Sequence, residues 1–360
     1  PVPVPVPVPV LVLVPSVGTR STFLIFAAIL LGLALLATRV RARQGLYAVF
    51  LGILIVLWIT VQPGPVRPAD GLVYESESAL QFIQVINSPT QGRRLVLKHQ
   101  ARPVAPDKFA DGIAAHMAVQ EVWPEGLPVL RAVDLERKAC VMDYLPARPL
   151  SVLLDGAPLA AQAALLRRAG AWMDGFHRAL PGEARVFQPK FTIRFLRSVM
   201  GELRAGERQV AEPERFLDCA EALCAMQPDF EGQGTVTAQT HGDLHQRNLV
   251  LDETRCWGVD FAGGRVVPVG HDIARLLTNY AILHAPKEAI PPGHVLPPEA
   301  QSAFFEGYGL VGPGDPSVRL LLRNRVLAEW WGLPAREAER SRAQARRFGR
   351  LMALVGRVFG

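Results

Sequence analysis

The 360 residues are 49% apolar and 20% charged, with a net charge of +6 and four cysteines. That apolar share supplies a sizeable core and excludes a disordered polyelectrolyte, and the length allows two or three domains. The cysteines form no CxxC pair, which fits a reducing compartment and excludes a disulfide-stapled scaffold.

The positive mean hydropathy of +0.18 is concentrated near the N-terminus. Residues 1–18 are a Pro/Val low-complexity segment, with Pro alternating with Val over 1–10. Proline at every second position removes ladder and helix donors, so an extended, polyproline-like segment is expected. The chain begins without Met, and signal-peptide rules are not applied to it. Residues 19–62 hold two uncharged apolar stretches, 23–37 and 46–61, and neither has a polar face. Each is slightly short of the ~20 residues that cross ~30 Å of hydrocarbon, but Trp58 and flanking Thr extend them, so a membrane-embedded helical hairpin is expected. Arg39, Arg41 and Arg43 in the connecting loop argue for a cytoplasmic loop, which would put the chain after the hairpin on the far side of the membrane, whereas Arg67, Arg93, Arg94 and Lys98 pull the other way.

Pro63-Gly64-Pro65 and Pro68 mark 63–70 as a linker. Strands are expected at 71–74, 81–86 and 94–97, followed by a helix over 107–122. The run Ala139-Cys140-Val141-Met142-Asp143-Tyr144-Leu145-Pro146 reads as an apolar strand entering Pro-rich chain. Leu165, Leu166, Ala169, Trp172, Met173 and Phe176 recur at helical spacing within 159–180, which ends at Pro181-Gly182. Further helices are expected over 191–201, 212–226 and 336–350. The last of these carries Arg340, Arg342, Arg346, Arg347 and Arg350, either as a solvated basic face or as a contact with anionic lipid. It lacks aromatic interleaving, so no nucleic-acid partner is expected.

The strongest chemical signal is His241-Gly242-Asp243-Leu244-His245-Gln246-Arg247-Asn248, followed by Leu249-Val250-Leu251 and, after a turn, Gly258-Val259-Asp260-Phe261. An Asp, an Asn five residues on at a strand start, and a second Asp ending the next strand have the spacing of phosphoryl-transfer sites. A loose phosphoryl-transfer transition state needs position and charge neutralisation more than covalent help. Asp243 then accepts the acceptor proton, and Asn248 and Asp260 hold Mg2+ against the phosphates. His241 and His245 lack a Cys or third His at zinc spacing and are expected to shape the loop. Asp272 stands near the start of the helix opening at His271, where an Asp caps free amides and meets the positive dipole end.

These residues resemble the aminoglycoside phosphotransferase and choline kinase-like family over about 71–350. Gly242 and Ala262 stand where protein kinases carry Arg and Gly. The resemblance implies an α+β, protein-kinase-like two-lobed fold preceded by the membrane hairpin, with a small β-rich nucleotide-binding lobe over 71–145 and a large helical catalytic lobe over 146–360. It implies ATP and Mg2+ as cofactors, Lys98 on the phosphates, Ser78 in a phosphate-covering loop, and the backbone of Asp143, Tyr144 and Leu145 on the adenine edge. That covering loop, Glu75-Ser76-Glu77-Ser78-Ala79, is not glycine-rich. The helix over 107–122 is expected to offer Lys98 a carboxylate, Asp111 or Glu121, although His116 is nearest the place by count. The family's Asp-x-Ala braces the catalytic loop, which assigns Asp272 a structural part, and Phe176-His177 resembles the Leu-His closing the equivalent helix, with His177 structural.

Residues 72–97 also resemble the N-terminal β-segment of membrane-associated spermidine synthases, but no glycine-rich strand-turn-helix follows. The function expected is transfer of the γ-phosphoryl of ATP to a hydroxyl of a small molecule, by an enzyme associated with the inner or plasma membrane and with its catalytic part in the cytoplasm. The alternatives are a lipid or envelope-sugar kinase and a catalytically silent nucleotide-binding scaffold.

Overall fold

The structure is a computed structural model that describes residues 72–77, 82–87, 94–100 and 107–360, within the compact unit Leu72–Gly360. The Pro/Val segment, the expected hairpin at 19–62, the linker and Ser78 lie outside the described residues. Among the described residues, no helix is long and apolar enough to cross a membrane.

The first part is an antiparallel five-stranded sheet of β1 (Leu72–Glu77), β2 (Phe82–Asn87), β3 (Arg94–His99), β4 (Leu130–Asp134) and β5 (Ala139–Asp143), in the order β1-β2-β3-β5-β4. Two boundaries differ from the sequence reading. β1 continues through Glu75, Ser76 and Glu77, which pair with Gln84, Ile83 and Phe82, so three of the five residues of the expected covering loop are ladder. β3 runs on to His99, which puts Lys98 inside the strand, opposite Ile83 on β2 and Cys140 on β5. A ladder on both sides fixes the base of the Lys98 side chain.

Helix α1 (Asp107–Val122) connects β3 to β4. Its Ala115 and Val119, one turn apart on one face, are buried in the same hydrophobic core as the helices that follow. The two parts of the fold are thereby packed together as well as joined by chain.

The second part is mainly helical: α2 (Leu150–Leu154), α3 (Leu159–Ala179), α4 (Pro189–Arg204), α5 (Pro213–Ala225), α6 (Gly270–Leu283), α7 (Pro298–Gly307), α8 (Pro316–Trp331) and α9 (Arg342–Val358). α3 is its axis. Leu166, Ala169, Trp172, Met173 and Phe176 are buried along one stripe, each larger side chain contributing about 1.5–3 kcal/mol by leaving water. α8 starts where Asp315 accepts from the N–H groups of Ser317 (2.8 Å) and Val318 (3.3 Å), with Pro316 at the first helical position.

The Arg-rich C-terminal helix begins later than expected, because Ser341 and Gln344 form a capping box that places the first turn at Arg342. Its basic face is partly committed. Arg347 pairs with Glu329 at 2.5 Å, Arg350 donates to the Leu283 carbonyl at 2.5 Å, and Arg340, just before the helix, lies over the Phe348 ring.

Three-stranded sheets bracket the motif. β6 (Arg148–Pro149), β9 (Leu249–Leu251) and β10 (Cys256–Gly258) form one, in the order β10-β9-β6. β7 (Pro181–Val186), β8 (Gly234–Gln239) and β11 (Val266–Pro268) form the other, in the order β11-β8-β7. The chain leaves the second sheet at β8, enters the first at β9, and returns through β10 to β11, so the loops 240–248 and 259–265 run side by side.

Candidate active site

Those adjacent loops are tied by main-chain hydrogen bonds. Val259 N–H donates to Asn248 O (2.9 Å), Ala262 N–H to His241 O (3.0 Å) and Thr240 N–H to Arg265 O (3.0 Å). The crossing is tight: a Cβ at Gly264 would stand 1.3 Å from the Thr240 carbonyl oxygen. Gly242 holds φ of +84°, a left-handed value that costs an L residue roughly 1–2 kcal/mol, which is a physical reason for glycine where protein kinases have Arg. Asp260 sits at φ +62°, a conformation Asp tolerates better than most residues.

His241 is fully buried and stacked on Phe261, with ring centroids 4.4 Å apart. Its Nε2–H donates to the Val259 carbonyl (3.0 Å), and its Nδ1 accepts from Asp243 N–H (3.4 Å). Burial holds its pKa below the usual value against the pull of Asp272, so one neutral tautomer links the two loops. Beneath it, Asp272 Oδ2 accepts from His241 N–H (2.8 Å) and meets His177 Nε2 (3.4 Å), while His177 Nδ1 meets the Tyr308 hydroxyl (2.9 Å). Asp272 is 3% exposed and His177 is fully buried.

Replacing Asp272 by Ala strands two buried donors, at about 1–3 kcal/mol each. The expected result is a fall in the urea midpoint equivalent to about 2–4 kcal/mol with an unchanged m-value.

Asn248 Nδ2 donates to the backbone carbonyl of Asp243 (2.9 Å), which fixes the amide and leaves Oδ1 as the group to meet a cation. The Asp243 carboxylate is ion-paired with Arg275 NH2, and His245 Nε2 lies 3.8 Å from its other oxygen. Burial, Arg275 and Arg247 lower the His245 pKa, opposed by Asp243.

Lys98 reaches from β3 to Asp260 Oδ1 at 2.5 Å. The carboxylate partner expected from α1 is therefore corrected. Asp111 and Glu121 are exposed, and the lysine instead pairs with an Asp of the large lobe. His116 is buried on α1, its Nε2 bonded to the Pro128 carbonyl (2.8 Å), and burial lowers its pKa to about 4. A neutral imidazole cannot replace a carboxylate as partner to an ammonium, so Asp260 carries that charge. Lys98, His116, Cys140, Met142 and Asp260 line a cavity of about 170 Å³.

At the connection between the lobes, the Asp143 carboxylate is held by Arg131 (2.8 and 2.6 Å) and its N–H donates to Val129 O (3.0 Å). Tyr144 N–H donates to Arg94 O (3.1 Å). These donors are spent inside the protein, and Leu145 N–H has no hydrogen-bond partner among the described residues. The groups that could hold a divalent cation are Asn248 Oδ1 and the 44% exposed Asp260 carboxylate, hard oxygen donors that suit Mg2+ completed by phosphate and water. Among the described residues, no cluster of three His, Cys, Asp or Glu offers an all-protein metal cage.

The model of the phosphotransferase enzyme family (APH) matches residues 84–321. The chain belongs to this family. No curated protein matches the chain. Solved structures with the same fold include a choline/ethanolamine kinase family protein from Mesorhizobium loti, at 16% identity over 83% of this chain and 92% of that one, with a TM-score of 0.52. A macrolide 2′-phosphotransferase from Brachybacterium faecium is 17% identical over 79% and 92%, with a TM-score of 0.50. A glucosamine kinase in complex with glucosamine, ADP and inorganic phosphate is 15% identical over 81% and 95%, with a TM-score of 0.50. At these identities the likeness shows an α+β kinase-like fold, which with the family match bears out the kinship read from 241–276.

Two features of this phosphotransferase escaped the sequence reading. Arg275 stands one helical turn after Asp272, so α6 carries both the brace of the loop and the partner of Asp243. Tyr308 on the far side of His177 left no local signal, because it arrives from the end of α7, 131 residues away.

Proposed function

We propose that this phosphotransferase moves the γ-phosphoryl group of ATP to a hydroxyl of a small molecule. The observation that carries the reading is the convergence of Asp243, Asn248 and Asp260 on two hydrogen-bonded loops, with Lys98 closing on Asp260 from the other lobe. The acceptor oxygen forms its bond to the γ-phosphorus as the bond to the β–γ bridging oxygen breaks. ADP leaves, and the acceptor proton passes to the Asp243 carboxylate. Asn248 and Asp260 hold Mg2+, which when bound neutralises phosphate charge. Lys98 exchanges Asp260 for phosphate oxygens when the nucleotide enters, and the hinge at Leu145 meets the purine through main chain. The uncharged stretches within 19–62 support a membrane-associated enzyme, and its need for ATP favours a cytoplasmic catalytic part, against the arginines of the connecting loop.

A second reading, a nucleotide-binding scaffold without turnover, draws on the neutral His116 where a carboxylate was expected. Incubation of the full chain with γ-labelled ATP, Mg2+ and a panel of hydroxyl compounds separates the two. Label on an acceptor is the expected result. Nucleotide binding with no transfer to any acceptor favours the scaffold.

A further inference from the structure

The acceptor side of the cleft is basic, and the inference drawn from it rests on the phosphotransfer reading above. A cavity of about 650 Å³ opens beside Gly242, and one of about 300 Å³ beside His245. They share Arg275 and Arg325, and Arg265, Arg247 and Arg347 complete their cationic lining. The carboxylates in that lining are Asp272 and Glu329, so the arginines outnumber them five to two. Asp272 holds His241 N–H, and Glu329 is bound between Arg325 (2.6 Å) and Arg347 (2.5 Å). Arg265 is exposed at the larger cavity, and Nε of Arg325 and Oδ1 of Asn324 are buried there without a hydrogen-bond partner among the described residues.

The rim of the larger cavity adds an apolar element. Phe191 and Phe195 on α4 are each 57% exposed, and Lys190 and Arg194 lie 5.6 and 5.5 Å from the Phe191 ring centre. A polycationic acceptor would meet like charge on these walls, whereas guanidinium groups bind phosphate and carboxylate through paired donors.

We propose that the acceptor is an anionic hydroxyl compound, carrying a phosphate or carboxylate within reach of Arg265, Arg275 and Arg325 and an apolar portion that lies on Phe191 and Phe195. Arg275 couples this recognition to the chemistry. Its guanidinium is held by Asp243, and it also donates to the Gly242 carbonyl at 3.3 Å. An acceptor anion draws Arg275 off Asp243 and leaves that carboxylate free to receive the hydroxyl proton.

The test titrates the full chain, saturated with Mg-ADP, with glucose 6-phosphate, glucuronate, glucose and glucosamine in a calorimeter. The expected order has at least one anion about tenfold or more tighter than glucose, with glucosamine weakest. Preference for both anions identifies general anion recognition, and preference for glucose 6-phosphate alone identifies a phosphate subsite. The anion preference should fall about fivefold or more in Arg325→Gln and in Arg265→Gln, with Mg-ADP stabilisation of each variant reporting that fold and nucleotide site survive. Equal or absent binding of all four probes, tighter glucosamine, or a preference unchanged in both variants overturns the proposal, while label transfer from γ-labelled ATP to any acceptor keeps the phosphotransfer reading intact. If Mg-ADP itself fails to stabilise the wild type, that reading falls, and the inference with it.

Discussion

Asp243→Asn is expected to lower turnover by about two to four orders of magnitude, the usual contribution of a positioned general base, while Mg-ATP binding stays near wild type. An amide cannot take the acceptor proton, but it has nearly the same shape. The hydrogen bond that orders Asn248 uses the backbone carbonyl of Asp243, so the substitution leaves the loop geometry in place. The His241 contact likewise uses Asp243 N–H. What the variant loses is the ion pair with Arg275, which is half-buried and expected to be worth little in stability at that exposure. The check is kcat on the best acceptor together with thermal unfolding in Mg-ATP. Activity within a few fold of wild type would remove Asp243 from the role of base.

Asp260→Asn is expected to abolish the metal-dependent part of nucleotide binding. At 100 times its dissociation constant a ligand stabilises the native state by about 2.7 kcal/mol, and this gain should be present in the wild type and missing in the variant. Two contributions disappear together, an anionic oxygen for Mg2+ and the partner of Lys98. The apo fold should survive, because Asn tolerates the left-handed conformation found at φ +62° about as well as Asp does. Thermal unfolding of both proteins, with and without Mg-ATP, reads the result. An equal shift in both would show that the nucleotide is held without Asp260.

The two variants separate the two halves of the proposed site. Asp243 is paired with Arg275, on what the proposal makes the acceptor side, and Asp260 with Lys98, on what it makes the nucleotide side. Loss of turnover with binding intact in one, and loss of binding in the other, is the pattern that a base and a metal ligand produce and that a general loss of folding does not.

Much of the large lobe was legible locally. The helical spacing from Leu166 to Phe176 marked α3 within a residue at its C-terminal end, because one buried stripe on a helix leaves a periodic trace in the chain. The 241–260 run stood out because a loop, a two-stranded hairpin and a second loop fix three polar residues by sequence distance alone. β1 was less legible: Glu75 and Glu77 look like loop residues, yet they lie in the ladder because their backbones pair with β2. Strand propensity yields to pairing, and pairing partners are invisible to a local window.

The sequence by itself determined the family of the chain and the local arrangement of its central loop, since Asp243, Asn248 and Asp260 lie within 18 residues, and the roles proposed for them rest on residue type and spacing. Only the tertiary structure decided who answers those residues. Lys98 meets Asp260 across 162 positions, Arg275 meets Asp243 from a helix packed beneath the loop, and Tyr308 completes the His177–Asp272 brace from the far end of α7. Such pairs form where burial and charge are satisfied together, and that is a property of packed elements that no local stretch of chain contains.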